Sequence, residues 1–198
     1  MNECPTARSR PGASSLLKGG GKILVAFLAL AAFFLGSPRA DAQSSMTEYQ
    51  VKALFLLNFI KYVDWPSDAL AGPNDPIVIG TIGQNDLYDE LQHAAAGKTI
   101  NGRALVIKHF ADGDDLRPCA ILFISSSEDS RLGKIMAQTG GSPILTVGED
   151  DDFLQKGGII NLDLKDSKIH LEVNLKAARQ VNLEISSRLL SVAEVRQE

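Results

Sequence analysis

The longest apolar segment downstream of residue 42 runs from Tyr49 to Pro66 and predicts a helix. It has 17 residues without Gly or Pro before Pro66, and Thr47 and Glu48 offer capping chemistry at its start. At 100° per residue its apolar side chains point in nearly every direction. Only scattered positions are polar, chiefly Lys52, Asn58 and Lys61. Such a helix is usually buried on more than one side, so we expect a central core helix. The alternative is that one of its faces docks on a partner.

The segments after Pro76 alternate between short β-branched runs and helical patterns. The predicted strands are Ile77 to Gly83, Ala104 to Phe110, Cys119 to Ser125 and Ile144 to Val147. The predicted helices are Asp86 to Ala96, capped by Asn85 or Asp86, and Ser126 to Thr139, capped by Ser126 or Ser127. Strands that alternate with helices in this way favour parallel pairing with helical crossovers.

The pattern changes after Gly158, where apolar and polar residues alternate. Ile160 to Leu164 and Ile169 to Val173 predict a hairpin with one dry and one wet face, joined by the turn Lys165-Asp166-Ser167. Asn174 is expected to cap a helix through Arg179 or Val181, and Ile185 to Val195 closes the fold as helix or strand. The predicted fold class is therefore α/β, with a mixed, mostly parallel sheet flanked by helices and an antiparallel hairpin at one edge.

The first 42 residues have the pattern of a signal peptide. Arg8, Arg10, Lys18 and Lys22 precede the uncharged run Ile23 to Leu35, and Ala40-Asp41-Ala42 gives the small-x-small cleavage pattern. We expect cleavage after Ala42, export to the periplasm and a single domain over residues 43–198. A retained membrane anchor is the alternative, because the basic region is long.

Charge and cysteine content change when the leader is removed. The leader holds five of the 20 basic and two of the 24 acidic residues, which leaves 15 basic and 22 acidic residues and a net charge of −7. An acidic domain has no electrostatic footprint for nucleic acid, so no nucleic-acid partner is expected. Cys119 then has no intramolecular partner, and its apolar context predicts a small buried side chain.

The residues that could carry enzymatic chemistry do not form a recognisable catalytic pattern. The three histidines show no metal-ligand spacing, and no G-x-S-x-G elbow is present. Ser125-Ser126-Ser127 follows a strand, where capping explains it better than catalysis. The acidic run from Glu149 to Asp152 fails the EF-hand pattern and is interpreted as a solvated turn. We therefore predict no catalytic residue, no metal and no cofactor; an unrecognised hydrolase is the least favoured alternative.

The wet face of the predicted hairpin is the most interesting polar cluster. Its members are Asn161, Asp163, His170 and Glu172. Such a face is usually just solvated, but in a regulatory protein it is a candidate partner-contact surface. A histidine beside carboxylates could make that contact pH-sensitive.

Residues throughout the chain carry a family resemblance. The first set is Tyr49, Lys52, Ala53, Phe55, Leu56, Asn58, Phe59, Lys61, Tyr62, Val63, Trp65 and Pro66. The middle is Ile77-Val78-Ile79-Gly80 and Cys119 leading into Ile121-Leu122-Phe123-Ile124. The end is Gly157-Gly158-Ile159-Ile160, Asn174, Ala177, Ala178, Leu183, Ile185-Ser186-Ser187, Leu189-Leu190 and Val192-Ala193. In these positions the sequence resembles the YfiR-like family of bacterial periplasmic proteins, from about Tyr49 to Ala193.

The resemblance implies a non-enzymatic periplasmic repressor of an inner-membrane diguanylate cyclase. Through protein–protein contact such a protein lowers cyclic di-GMP and biofilm formation. An outer-membrane lipoprotein is a second implied partner, and a homo-oligomer is left open. Some family members carry extra cysteines that support redox control, whereas this chain has only Cys119 after the leader. The alternative function is a periplasmic small-molecule-binding sensor that uses the crevice outside the carboxyl ends of the parallel strands.

Overall fold

The central helix begins where the sequence supplies a complete capping box. The computed structural model describes residues 46–67, 69–70, 72, 75–84, 86–139 and 141–196, so the predicted signal peptide and the cap residue Asn85 lie outside it. Helix α1 spans Glu48–Tyr62. The Thr47 hydroxyl accepts a hydrogen bond from the Gln50 backbone N–H, and the Gln50 side chain accepts one from the Thr47 N–H.

The other elements follow the predicted alternation. The strands are β1 (Val63–Asp64), β2 (Ile77–Ile82), β3 (Thr99–Ile100), β4 (Arg103–Phe110), β5 (Ile121–Ile124), β6 (Leu145–Gly148), β7 (Ile160–Lys165), β8 (Lys168–Asn174), β9 (Glu184–Ile185) and β10 (Glu194–Arg196). The helices after α1 are α2 (Leu87–Ala95), a 3₁₀ helix (Ser126–Arg131), α3 (Leu132–Thr139), α4 (Leu175–Gln180) and α5 (Ser187–Leu190).

Eight of the described strands form one sheet in the order β10-β8-β7-β6-β5-β2-β4-β3. The pairs from β4 through β2, β5 and β6 to β7 are all parallel. The first parallel strand, β2, lies between β4 and β5, so the chain reverses its direction across the sheet at this point. Doubly wound α/β domains bind ligands in the crevice above such a switch point. The predicted class, a mostly parallel α/β sheet flanked by helices, is confirmed.

The predicted hairpin is confirmed as the antiparallel pair β7–β8. Asp166 and Ser167 have φ values of 50° and 60°, as both central residues of a type I′ turn require. The hairpin lies next to the end of the sheet, because β10 pairs in parallel with the outer side of β8.

Apolar side chains pack on both faces of the sheet. On one face, α1, α2 and α4 cover a core that includes Phe59, Leu91 and Ala178. On the other face, α3 and the loop after β6 cover a second core that includes Cys119 and Phe153. The expectation that α1 is a central core helix is confirmed, since Ala53, Leu56 and Phe59 are fully buried. Leu54 nevertheless remains 40% exposed.

Several element boundaries differ from the predictions. Helix α1 ends at Tyr62 rather than near Pro66, because Val63–Asp64 leaves the helix and pairs antiparallel with Glu184–Ile185. The predicted helix from Ser126 to Thr139 begins as a 3₁₀ helix, and its cap is Ser125 rather than Ser126 or Ser127. The segment from Ile185 to Val195 is neither one helix nor one strand but parts of β9, α5 and β10.

Candidate functional site

The β7–β8 register brings the four predicted contact residues together as two cross-strand pairs. Asn161 lies opposite Glu172, and Asp163 lies opposite His170. The Asn161 Nδ2 atom donates to Glu172 Oε2 at 3.3 Å. Sequence periodicity therefore placed the four side chains on one face of the hairpin correctly.

Half of this face is buried, so the expectation that it is fully solvated is wrong. Asn161 has no exposed surface and Glu172 is 5% exposed. The guanidinium of Arg196 in β10 donates from Nη2 to Glu172 Oε1 at 2.7 Å, which neutralises the carboxylate. The sequence pattern showed the alternation in β8 but could not show that the three-residue strand β10 would lie beside it.

The loop after β6 shields the same region from the other side. Gly148 is the register partner of Asn161, and a Cβ on Gly148 would lie 2.4 Å from the Phe153 ring. Phe153 therefore lies over the row of residues that contains Asn161. The Asn161 Oδ1 atom is buried, and no described residue donates a hydrogen bond to it.

The other half of the face is accessible. His170 is exposed, whereas Asp163 is partly exposed and forms an ion pair with Lys165. A partner could therefore contact His170 directly, whereas only 14% of the Asp163 side chain is exposed to such contact. Asn161 and Glu172 could act only by holding β7, β8 and β10 together beneath them. The role of this face in partner contact stays a prediction.

A second polar cluster was missed by the sequence analysis. Lys52, one of the scattered polar positions of α1, is only 1% exposed. Its Nζ atom lies 2.7 Å from Glu149 Oε2 and also forms an ion pair with Glu48. It lies 5.2 Å from the centroid of the Tyr49 ring. The solvated-turn interpretation is therefore wrong for Glu149, whose side chain is 6% exposed.

The position of Lys52 in the helical repeat indicated that it is buried. Lys52 precedes Leu56 by four residues and Phe59 by seven, so it lies on the same buried stripe of α1 as these core residues. A lysine on such a stripe requires an anionic partner, because an unpaired buried charge is costly. The sequence did not show which carboxylate would serve.

The ion pair lies at the carboxyl ends of the parallel strands, beside the switch point of the sheet. Glu149 follows β6 and Ser126 follows β5, so both lie at the carboxyl ends of parallel strands. Glu149 Oε1 accepts from the Ser126 backbone N–H at 3.1 Å and from its hydroxyl at 3.3 Å. A carboxylate of the chain itself thus occupies the position at a helix start where α/β domains commonly bind a ligand anion.

The remaining serines of this segment make structural hydrogen bonds. Ser125 Oγ donates to the Gln84 carbonyl at 2.9 Å and accepts from the Ser127 N–H. Ser127 Oγ accepts from the Gln84 N–H at 2.9 Å. These bonds of the two serines join the ends of β2 and β5.

The environment of Lys52 favours its charged form. Burial by itself lowers the pKa of this lysine, but the hydrogen bonds and charges of Glu149 and Glu48 outweigh that effect and raise it. Burial, with a contribution from the Glu149 charge, raises the pKa of Tyr49. The cluster is therefore a satisfied ion pair at neutral pH, suited to fixing α1 to the sheet.

Two further observations concern metal ions and membranes. Within the described ranges, no group of three or more His, Cys, Asp or Glu side chains is arranged to hold a metal ion. No helix in the described part of the chain has the length and apolarity needed to cross a membrane.

The arrangement defines an α/β domain in which the Glu149 carboxylate accepts hydrogen bonds at the helix start that follows β5. Family comparison assigns it more closely: the sequence model of the YfiR/HmsC-like family matches residues 49–194, and the chain belongs to this family. The family is periplasmic, regulatory and non-catalytic. No curated protein matches the chain.

A solved structure shows the same fold. It is a conserved domain protein from Vibrio cholerae O1 biovar El Tor, with a TM-score of 0.53 and 13% sequence identity. The match covers 77% of this chain and 62% of the Vibrio chain, so this chain spans less than two thirds of that protein.

Proposed function

We propose that this protein is a periplasmic repressor of a membrane-bound diguanylate cyclase, acting by protein–protein contact. Its action lowers cyclic di-GMP and biofilm formation. The observation that carries the proposal is the match of the YfiR/HmsC-like family to residues 49–194, because this is a family of periplasmic regulators.

The geometry supports contact rather than catalysis. At the carboxyl ends of the parallel strands, Glu149 is paired with Lys52. Ser125 and Ser127 are hydrogen-bonded to the Gln84 backbone. The polar face around Asp163 and His170, in contrast, is accessible and held on paired strands. An accessible polar surface on a rigid sheet suits a regulator that works by binding.

Repression follows from differential binding. The protein shifts the cyclase towards its inactive conformation only if it binds that conformation more tightly than the active one. Each tenfold shift in the equilibrium requires a preference of about 1.4 kcal/mol. A periplasmic protein can exert this effect on a cytoplasmic catalytic domain because the sensor region of such a cyclase faces the periplasm.

A periplasmic small-molecule sensor is the second candidate, and the doubly wound strand order favours it. The Glu149 carboxylate works against this function, because a ligand anion would have to displace it from Ser126 and leave Lys52 without its buried partner.

Deletion of the gene tests the proposed function. Cellular cyclic di-GMP and surface attachment should rise, and re-expression of the exported protein should restore both. A leaderless form should not restore them, because it never reaches the periplasmic side of the membrane. If deletion leaves cyclic di-GMP unchanged while the gene is expressed, the repressor function is wrong and the sensor function becomes the better one.

A further inference from the structure

One side of strand β4 is largely unpaired. Strand β4 pairs with β2 on its inner side from Leu105 to Phe110. On its outer side, β3 pairs only with Arg103 and Ala104. No other described strand pairs with that side from Leu105 to Phe110, a stretch that we call the β4 edge. An unpaired strand edge presents backbone donors and acceptors to any extended chain that can lie beside it.

The charged residue of this edge does not cover it. The Nζ atom of Lys108 lies 4.2 Å from the centroid of the Phe110 ring, so the side chain lies along the face of its own strand. Val106 is 41% exposed. Lysines often protect edges against pairing, but here the ammonium group lies over the Phe110 ring.

A groove lined by both polar and apolar side chains runs beside the β4 edge on the α1 side of the sheet. It consists of two clefts of approximately 480 and 220 Å³ that share Lys98, Thr99 and Leu105. Leu54 of α1 and Ala95 of α2 also line it. Side chains of a strand alternate between its two faces, so every second residue of a chain added to β4 would enter this groove.

The rim of the groove is cationic although the chain as a whole is acidic. Lys61 and Lys98 are exposed and line the groove, and neither forms an ion pair with a described residue. The α2 residues that line it, including Gln92, are uncharged. The groove therefore complements carboxylates. A second copy of this chain fits this surface less well, because pairing the β4 edges of two copies would bring the lysines of one copy close to the same lysines of the other.

We propose that the β4 edge and its groove bind an extended segment of a partner protein in which acidic residues alternate with apolar ones. The backbone of the segment pairs with β4, its carboxylates lie on the groove side and meet Lys61 and Lys98, and its apolar side chains lie on the opposite face beside the exposed Val106. This inference rests on the proposed function in that it names a contact surface for a protein partner, but it does not require that partner to be a cyclase.

Short fluorescent peptides test the pairing with the purified protein. A peptide of alternating valine and glutamate should bind, as measured by fluorescence anisotropy, and one of alternating valine and lysine should bind more weakly. In an extended chain, successive residues direct their N–H groups to opposite sides. N-methylation of all valines and N-methylation of all glutamates should therefore have unequal effects, one abolishing binding and the other sparing it.

Charge variants test the side-chain contacts. Lys98→Glu should weaken binding of the acidic peptide by roughly two- to fivefold, as expected for an exposed charge pair. Lys176→Glu makes the same charge change on the exposed surface of α4, outside the groove, and should leave binding unchanged. Equal losses in both variants, equal effects of the two methylation patterns, or no binding would overturn the proposal.

Two further measurements separate the alternatives. The first is sedimentation of the protein alone. If the protein is a dimer and Val106→Lys makes it monomeric, the β4 edge binds a second copy of the chain. This result would also overturn the proposal. Cellular cyclic di-GMP after gene deletion reports on the proposed function independently. If gene deletion raises cyclic di-GMP but the purified protein does not bind the peptides, the proposed repressor function stands and only the proposed β4 contact surface is wrong.

Discussion

Lys52 and Glu149 are 97 residues apart in the chain, yet the Nζ atom of one lies 2.7 Å from the Oε2 atom of the other. This pair joins the central helix α1 to the loop after β6, beneath the surface of the domain. It connects α1 to the carboxyl ends of the parallel strands, the side of the sheet at which doubly wound domains bind ligands.

Removing one member of this pair should destabilise the protein strongly. Lys52→Met leaves the buried Glu149 carboxylate without its cation, and we expect a loss of about 3–5 kcal/mol in the free energy of unfolding. Urea denaturation followed by circular dichroism measures it. Lys61→Met on the exposed side of the same helix is the matched control and should change stability by less than about 0.5 kcal/mol.

The double variant Lys52→Met with Glu149→Gln extends this test. The side-chain amide oxygen introduced by Glu149→Gln could still accept from the Ser126 N–H. The Glu48 carboxylate would lose its cation as well, but its side chain is 32% exposed, so no unpaired buried charge would remain. The double variant should therefore regain most of the free energy of unfolding that the single variant Lys52→Met loses. A double variant as unstable as the sum of its single variants would show that the two residues act independently.

The Phe153 ring leaves no room for a side chain at the glycines that it contacts. A Cβ on Gly158 would lie 2.2 Å from the Phe153 ring, so Gly158→Ala should cost about 1–3 kcal/mol by overpacking. Gly133 lies in helix α3 with open space around it, and Gly133→Ala should instead stabilise the protein by roughly 0.5–1 kcal/mol. Thermal or urea unfolding should show changes of opposite sign in the free energy of unfolding for the two variants. A Gly158→Ala variant with unchanged stability would contradict the close packing of Phe153.

Cys119 should be chemically inert in the native state. The side chain is 4% exposed, and burial raises the pKa of its thiol to about 12, so little thiolate exists at neutral pH. A thiol reagent should label it slowly in the native protein and fully in denaturant. Equal labelling rates in the two states would contradict its burial.

The same thiol contributes to the pH dependence of stability. In the unfolded chain it ionises near pH 9, whereas in the native state it stays protonated until about pH 12. Its contribution is therefore fully present below pH 9 and is lost as the pH rises through this window. A Cys119→Ala variant should show a shallower loss of stability between pH 9 and pH 11 than the unsubstituted protein.

Export can be tested independently of the fold. The basic, apolar and Ala-x-Ala series predicts cleavage after Ala42. Mass spectrometry of the protein from its native host should find Gln43 at the N-terminus. An intact leader would contradict cleavage at this position and favour the retained anchor.

Local sequence patterns predicted most of the fold, because helix caps, strands and hairpins depend on residues that are close together in the sequence. Thr47 and Asn174 supplied caps, the β-branched runs supplied buried strands, and alternation supplied the β7–β8 hairpin. The site was harder to predict because it depends on contacts distant in sequence. Glu149 is buried only because α1 places Lys52 above it, and Glu172 is buried only because Arg196 returns beside it. A three-residue strand such as β10 has too short a pattern to be recognised in advance.

Spheroplasts provide the most direct test of the central claim, that the protein represses a cyclase from the periplasmic side. The purified protein is added to spheroplasts of a strain that lacks its gene, and intracellular cyclic di-GMP is measured over time. Cyclic di-GMP should fall after the addition and should not change in spheroplasts that also lack the cyclase. An unchanged cyclic di-GMP level in the presence of the cyclase, with the added protein shown to be folded, would contradict the account.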